Sequence, residues 1–312
     1  MSFSSEVKTE LCKRSINKHC CVRAACYGFA CFAKYFDDKG VVLHTERAII
    51  AQHAKHLYKQ LGIRSEVVEK VRQDGPIYEF SVKEPENVAM MLLNFGHTGK
   101  EELPEIHRDI FICPGCLSAF LASAFLCCGM VADPAKEYSL EFVSGRAALL
   151  ESFFALLQEH GFEPRIAKRR YTSALYFKAS EQVEDMLTLM GATSASLEIM
   201  NRKIYKEFRN KTNRITNCEN ANIDKIINAS ENAIRNLQLL RENQQFESLP
   251  EELREIARLR IDYPECSLAE LGAMLEPPLG KSGVSHRLRK LASIAANLRK
   301  ADTAQQENAI TR

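Results

Sequence analysis

Hydrophobic and polar positions along this chain fall into a pattern that occurs twice. From Cys20 and again from Cys113, a helix dense in small and apolar residues runs into a short strand and then a turn rich in Asp, Lys, Gly or Pro. The two runs are CCVRAACYGFACFAKYFDDKG (20–40) and CPGCLSAFLASAFLCCGMVADP (113–134). After the first, alternation predicts a strand at Val41 to Thr45, an amphipathic helix ending at Leu61-Gly62, a hairpin around Gly75-Pro76 and a helix ending at Phe95-Gly96. After the second it predicts a strand at Tyr138 to Val143, a helix ending at His160-Gly161, strands near Phe162 to Lys168 and Tyr171 to Phe177, and a helix ending at Met190-Gly191. Corresponding points lie about 95 to 99 residues apart, which marks a duplication, since a solenoid would repeat every ~20 to 50 residues. Small residues four apart, Ala24 with Gly28 and Ser118 with Ala122, predict that the two apolar helices approach closely and join the halves.

Around this duplication the pattern changes. Ser4 or Ser5 can cap a first helix carrying Val7 and Leu11. The segment GHTGKEELPEIHRDI reads as the linker between halves. Asn201 to Arg214 holds six Lys or Arg and one Glu, either a solvated connector or a strip facing phosphates. Asn222 then reads as the cap of a helix with Ile223, Ile226, Ile227, Ile234, Leu237 and Leu240 at helical spacing. The domains expected are 1–100, 101–200, a basic linker and connecting helix at 201–246, a helical domain at 247–300, and a disordered tail at 301–312.

Residues 247–300 read as three helices. Pro250 opens one that Tyr263-Pro264 stops, and Ser267 to Glu270 is a capping box opening a short one. After Glu276-Pro-Pro-Leu-Gly280, a long helix starts near Gly283, with Val284, Leu288, Leu291, Ala295 and Leu298 on one stripe. Its other face carries Ser282, His286, Arg289 and Ser293, flanked by Ser285 and Lys290, and from Leu279 to Lys300 there are six Lys or Arg and no acid. A short capped helix, a turn and a basic helix are the layout of a helix-turn-helix DNA reader, whose plainer alternative is a three-helix bundle with a solvated basic face.

Composition sharpens this. Hydrophobic residues at 46% and charged residues at 26% suit a soluble protein of 312 residues with two or three domains, and a net charge of +2 means that any electrostatic footprint is local. The N-terminus lacks the apolar core of a signal peptide, and Leu117 to Ala132 is shorter than a spanning helix. Eleven cysteines, several within helical patterns, point to a reducing cytoplasm. Cys113 and Cys116 form half a zinc site. Cys127 and Cys128 are too close along one helix to complete it without strain, although His107 could assist. The pair therefore reads as buried or helix-capping, with no metal and no cofactor expected.

The segments CCVRAA, FLASAFLCCGMVADPAKEYSLEF, EFRNKTNRITNCENANIDK, SLPEELREIARLRIDYPECSLAELG and EPPLGKSGVSHRLRKL resemble the WhiA family of sporulation and cell-division regulators. The resemblance implies an α+β fold: a duplicated LAGLIDADG-like domain, αββαββα in each half, followed by an all-α helix-turn-helix domain. CYGFACFAK stands in for the LAGLIDADG motif with none of its acids, and the family leads us to expect Asn where this chain has Ser285. Homing endonucleases of this fold need a carboxylate at the end of each motif helix to hold metal ions; Ala33 and Cys128 occupy those positions. Asp37, Asp38 and Asp133 follow, where turn chemistry explains them. No catalytic residue is therefore expected.

The function implied is a sequence-specific, DNA-binding transcriptional regulator of division or sporulation genes, cytoplasmic and associated with the nucleoid. Its expected partner is double-stranded DNA, not a membrane, and a second transcription regulator stays open as a partner. Rival readings are a protein-interaction or nucleoid scaffold that holds DNA weakly, and a residual metal-dependent nuclease. Candidate DNA contacts are Lys281, Ser282, Ser285, His286, Arg287, Arg289 and Lys290 on the long helix. Arg165, Lys168, Arg169 and Arg170 join them from the RIAKRRY hairpin, because homing-endonuclease-like sheets face the duplex.

Overall fold

A computed structural model describes the chain except residues 1, 74, 102–104, 311 and 312, and gives backbone only for 301–310. Residues 102–104, inside the expected linker, and 311–312, the end of the expected tail, lie outside the described residues. The chain divides into two units, residues 1–206 and 207–312, each with its own core.

In the first unit, α1 (Phe3–Lys13) precedes two copies of one plan. The first copy is α2 (His19–Phe32), β1 (Tyr35–Asp37), β2 (Gly40–Thr45), α3 (Ala48–Gln60), β3 (Glu66–Arg72), β4 (Gly75–Val82) and α4 (Pro85–Phe95). The second is α5 (Pro114–Cys128), β5 (Gly129–Val131), β6 (Leu140–Ser144), α6 (Ala147–Glu159), β7 (Arg165–Lys168), β8 (Ser173–Phe177) and α7 (Ser180–Met190). Each copy is the expected αββαββα, and each makes an antiparallel four-stranded sheet, ordered β1-β2-β4-β3 and β5-β6-β8-β7. Register confirms the duplication: Val41 pairs with Val82 as Leu140 pairs with Phe177, offsets of 99 and 95 residues. Gly96 and Gly191 close α4 and α7 in the left-handed conformation (φ 71° and 92°), where a side chain would be strained.

One face of each sheet is covered by helices. Leu43, Phe80, Phe142 and Phe177 meet the aromatic core there, as Phe142 meets Phe153 edge to face with ring centres 5.0 Å apart. At its centre α2 lies on α5, the pairing with the most extensive contact in the fold. A Cβ on Gly28 would stand 2.6 Å from the Phe120 carbonyl oxygen, so a side chain there would force the backbones apart. Ser118 also binds outside the α2–α5 pair. Its hydroxyl donates to the Leu189 carbonyl and accepts from Arg14 (2.8 Å), tying α5 to the end of α7. Helix α5 is buried along nearly its whole length, as a core helix should be, and among the described residues no helix is long and apolar enough to cross a membrane.

Two capping expectations are corrected. Ser2, rather than Ser4 or Ser5, caps α1, accepting from the Ser5 amide at 3.3 Å. Asn222 caps nothing: it sits inside α8, one uninterrupted helix over Thr193–Glu242. With no Pro or Gly from Thr193 to Glu242, nothing stops the helix, and the basic stretch 201–214 is helical. Its start is capped from α1, where Glu10 accepts from the amides of Ser194 (2.7 Å) and Ala195 (3.2 Å).

In the second unit, α9 (Glu251–Asp262), α10 (Leu268–Ala273) and α11 (Lys281–Ile310) pack with Leu237 and Leu240 of α8 around Leu253, Ile256, Leu271, Val284 and Leu291. Ile223, Ile226 and Ile227, expected to dock on a neighbour, are exposed. Helix α11 starts two residues before Gly283 and continues as backbone through 301–310, where a disordered tail was expected.

Candidate nucleic-acid interface

The second unit is built to hold α11 rigidly. Ser267 accepts from the Glu270 amide (3.3 Å) while Glu270 accepts from the Ser267 amide (2.7 Å), a complete capping box on α10. The turn after α10 returns at Leu279, whose amide donates to the Gly272 carbonyl at 2.8 Å. A Cβ on Gly272 would lie 2.0 Å from the Leu279 carbonyl oxygen, so the turn can close only over glycine. Buried Arg260 of α9 donates to the carbonyls of Pro264 (3.2 Å) and Cys266 (2.8 Å), fixing the chain between α9 and α10. Burial lowers its pKa, yet a guanidinium stays charged, and these carbonyls offset the loss of water.

On α11 the expected stripe is inward: Val284, Leu291 and Ala295 are buried and Leu288 and Leu298 half-buried. Lys281, Ser282, His286, Arg289 and Lys290 are exposed and Ser285 half-exposed, so one surface of the first three turns gathers most of the predicted contacts. The Arg289 guanidinium reaches back along its own helix to the Ser285 carbonyl (3.4 Å). Arg287 differs: half-buried, it pairs with the Glu252 carboxylate of α9 (3.4 Å) and donates to the Glu252 carbonyl (3.4 Å). That contact braces α11 on α9, and sequence alone gave no sign of it.

In the first unit the open sheet faces carry mixed charge. Arg165 and Arg169 are exposed on the open side of the second sheet, but Arg169 pairs with Glu141 at 2.7 Å. Lys168 pairs across the sheet with Ser173, in register with Leu175 and Phe177, so it leans to the helix side. Arg170 lies over the Tyr171 ring (5.0 Å). On the first sheet Glu79 accepts from Lys70, Lys83 (3.0 Å) and His44 (3.0 Å), and the Lys70 hydrogen bond, then that of Lys83, holds its carboxyl down at about 2. The signal for these pairs was absent from the sequence because partners sit on different strands.

The ends of α2 and α5, where a homing endonuclease needs its two acids, hold cations instead. Ala33 is buried, and its carbonyl accepts from Arg146 at 2.8 Å, as does that of Cys31. Lys8 donates to the Leu126 carbonyl at 3.5 Å and lies 5.7 Å from the centre of the Phe125 ring. Burial pushes the Cys128 thiol up to about 12, so it stays neutral. Asp37 and Asp133 accept from the amides of Lys39 (2.8 Å) and Ala135 (2.9 Å), the turn roles expected of them.

A duplicated LAGLIDADG-like domain joined to a helix-turn-helix domain defines a narrow class of proteins. The sequence matches the WhiA LAGLIDADG-like domain over residues 117–209 and the WhiA C-terminal HTH domain over residues 212–295. It is 35% identical to a probable cell division protein WhiA from Ruminiclostridium cellulolyticum, covering 96% of this chain and 99% of that one. It is 37% identical to another from Caldicellulosiruptor saccharolyticus, covering 96% of each chain. The crystal structure of full-length WhiA from Thermatoga maritima superposes with a TM-score of 0.58 at 23% identity, over 95% of this chain and 99% of that one, which supports the fold. The chain belongs to the WhiA family.

Proposed function

We propose that this protein is a sequence-specific DNA-binding transcriptional regulator of cell-division or sporulation genes, working in the cytoplasm on the nucleoid, and that it has no nuclease activity. The observation that carries this reading is the first three turns of α11, an acid-free surface of Lys281, Ser282, His286, Arg289 and Lys290 on a helix braced from behind. A helix fits the major groove, and its N-terminal residues lie nearest the base edges. Arg289 suits a guanine edge, with Ser282, Ser285 and His286 reaching bases or phosphates. Lys281 and Lys290 neutralise phosphates, and Arg287 does so only by leaving Glu252. The names of the relatives support the link to division.

Against cleavage stands the donor set at the ends of α2 and α5. Arg146 and Lys8 put positive charge where two carboxylates would have to hold a hard cation, and neither Ala33 nor Cys128 can replace them. A scaffold reading draws on Phe208, Ile215 and Ile226, exposed on one line of α8, which suit a protein partner such as a second regulator.

The test is fluorescence anisotropy on a duplex selected from random sequence and on its scrambled counterpart, across a salt series. Arg289→Ala should cost ~1 to 3 kcal/mol on the selected site and much less on scrambled DNA, whereas Lys281→Ala or Lys290→Ala should weaken both and lower the salt slope by about one. An Arg289→Ala protein with parental affinity and preference would remove α11 as the reader. Magnesium-dependent nicking by the pure protein would reverse the statement on nuclease activity.

A further inference from the structure

Along the sequence, Cys113-Pro-Gly-Cys116 has Cys127 and Cys128, at the far end of the same helix, and His107 as candidate partners. The fold supplies others. Cys20 and Cys21 lie in the first turn of α2, Cys113 is the N-cap of α5 and Cys116 lies in its first turn, so all four collect where the two helices begin. Their sulfurs lie within 4.8 Å of one another. Cys113 Sγ is 3.7 Å from that of Cys20, 3.5 Å from that of Cys21 and 3.6 Å from that of Cys116. We propose that Cys20, Cys21, Cys113 and Cys116 bind one zinc ion as a closed tetrathiolate site that clamps the two halves of the LAGLIDADG-like domain together.

Three features support it. Zinc–sulfur bonds of ~2.3 Å in a tetrahedron set the sulfurs ~3.8 Å apart, close to the spacings here, whereas a disulfide needs ~2.05 Å. Position 115 leaves room: a Cβ on Gly115 would stand 3.1 Å from Cys21 Sγ and 3.8 Å from Cys113 Sγ, crowding the sulfurs. The positive ends of α2 and α5 both face the group, so their unpaired amides and dipoles favour thiolates. All four sulfurs bind zinc as thiolates, so metal binding releases their protons. Four sulfurs suit zinc or iron; four protein ligands and no open position describe a structural zinc site, not a catalytic one. The site sits at the opposite ends of α2 and α5 from Ala33 and Cys128.

The experiment uses the full chain, purified reduced and without chelators. Elemental analysis should find one zinc per chain, and cobalt substitution should give the intense sulfur-to-metal charge-transfer bands of a tetrathiolate. Removing even an outer partner of a metal site costs about 10 to 100-fold in affinity; Cys20→Ser or Cys113→Ser should therefore weaken zinc, in competition with a chromophoric chelator, by at least about that factor. Cys266→Ser, in the other unit, should change nothing. As a reading independent of variant folding, zinc should shield these four cysteines of the parent chain, and not Cys218, from alkylation mapped by mass spectrometry. No stoichiometric zinc after reconstitution of the reduced chain, unchanged affinity in Cys113→Ser, absence of shielding, iron as the bound metal, or a disulfide among these cysteines in freshly prepared protein would each overturn the proposal.

Discussion

Replacing Gly28 with Ala tests whether the two halves are joined through a backbone-to-backbone contact. The new methyl would sit 2.6 Å from the Phe120 carbonyl oxygen and 3.0 Å from Ser123 Cβ, against an ordinary contact of 3.4 Å or more. The first neighbour is helix backbone and cannot rotate away, so α2 and α5 must separate by several tenths of an ångström along a fully buried seam. Overpacking of this kind costs ~1 to 3 kcal/mol, and the better helix propensity of Ala returns up to ~1 kcal/mol at an interior position. The net expectation is a loss of about 1 to 2 kcal/mol, or a fall of roughly 0.5 to 1 M in the urea midpoint for a slope near 2 kcal/mol/M. Near-UV circular dichroism is a suitable probe, because the chain has no Trp and the buried Tyr27 and Tyr58 both lie in this unit. A midpoint equal to or above that of the parent would show that the seam yields, and the argument from close approach would fail.

Two further outcomes bear on the open sheet faces. Glu79→Gln should lower stability at pH 7 by about 1 to 2 kcal/mol, taking the low end for hydrogen bonds to charged groups because both lysines are half-exposed. The Glu79 carboxyl is depressed from 4.5 to about 2, so its contribution is complete above pH 4.5 and lost as pH falls toward 2; urea midpoints at pH 7 and pH 3 should show the gap shrinking, and a constant gap would refute the ion-pair account. If the RIAKRRY hairpin meets phosphates, replacing Arg165, Lys168, Arg169 and Arg170 together with Ala should weaken binding to all sequences alike and flatten the salt dependence, whereas an unchanged slope would leave them as solvating residues, Arg169 being already paired with Glu141.

Which features the sequence revealed follows from how local their causes are. The helix ends at Gly96 and Gly191, the capping box at Ser267 and the inward stripe of α11 depend on neighbours a few residues away, and period and spacing expose them. The 95 to 99-residue offset exposed the duplication for the same reason, as one local plan read twice. What stayed hidden depends on contacts across the fold. Asn222 has the chemistry of a cap, but helical residues continue on both sides and nothing interrupts them. Arg287 looks like any other cation of α11 until Glu252 is brought beside it. Cys21 and Cys116 are 95 residues apart, the repeat's own offset, and that coincidence was the one signal in the sequence that the four cysteines meet.

The cations at the ends of α2 and α5 show how the fold keeps its shape without acids there. Two helices that end side by side in a protein interior point their negative dipole ends and their last carbonyls into a region of low dielectric, and something positive must answer them. Here Arg146, reaching from the start of α6, answers the end of α2, and Lys8, from α1, answers the end of α5. Because the compensation is covalently part of the chain, the seam does not depend on a bound ion at this end. A carboxylate introduced at position 33 or 128 would meet a guanidinium or an ammonium first, so restoring the acids alone would build an ion pair rather than a metal site.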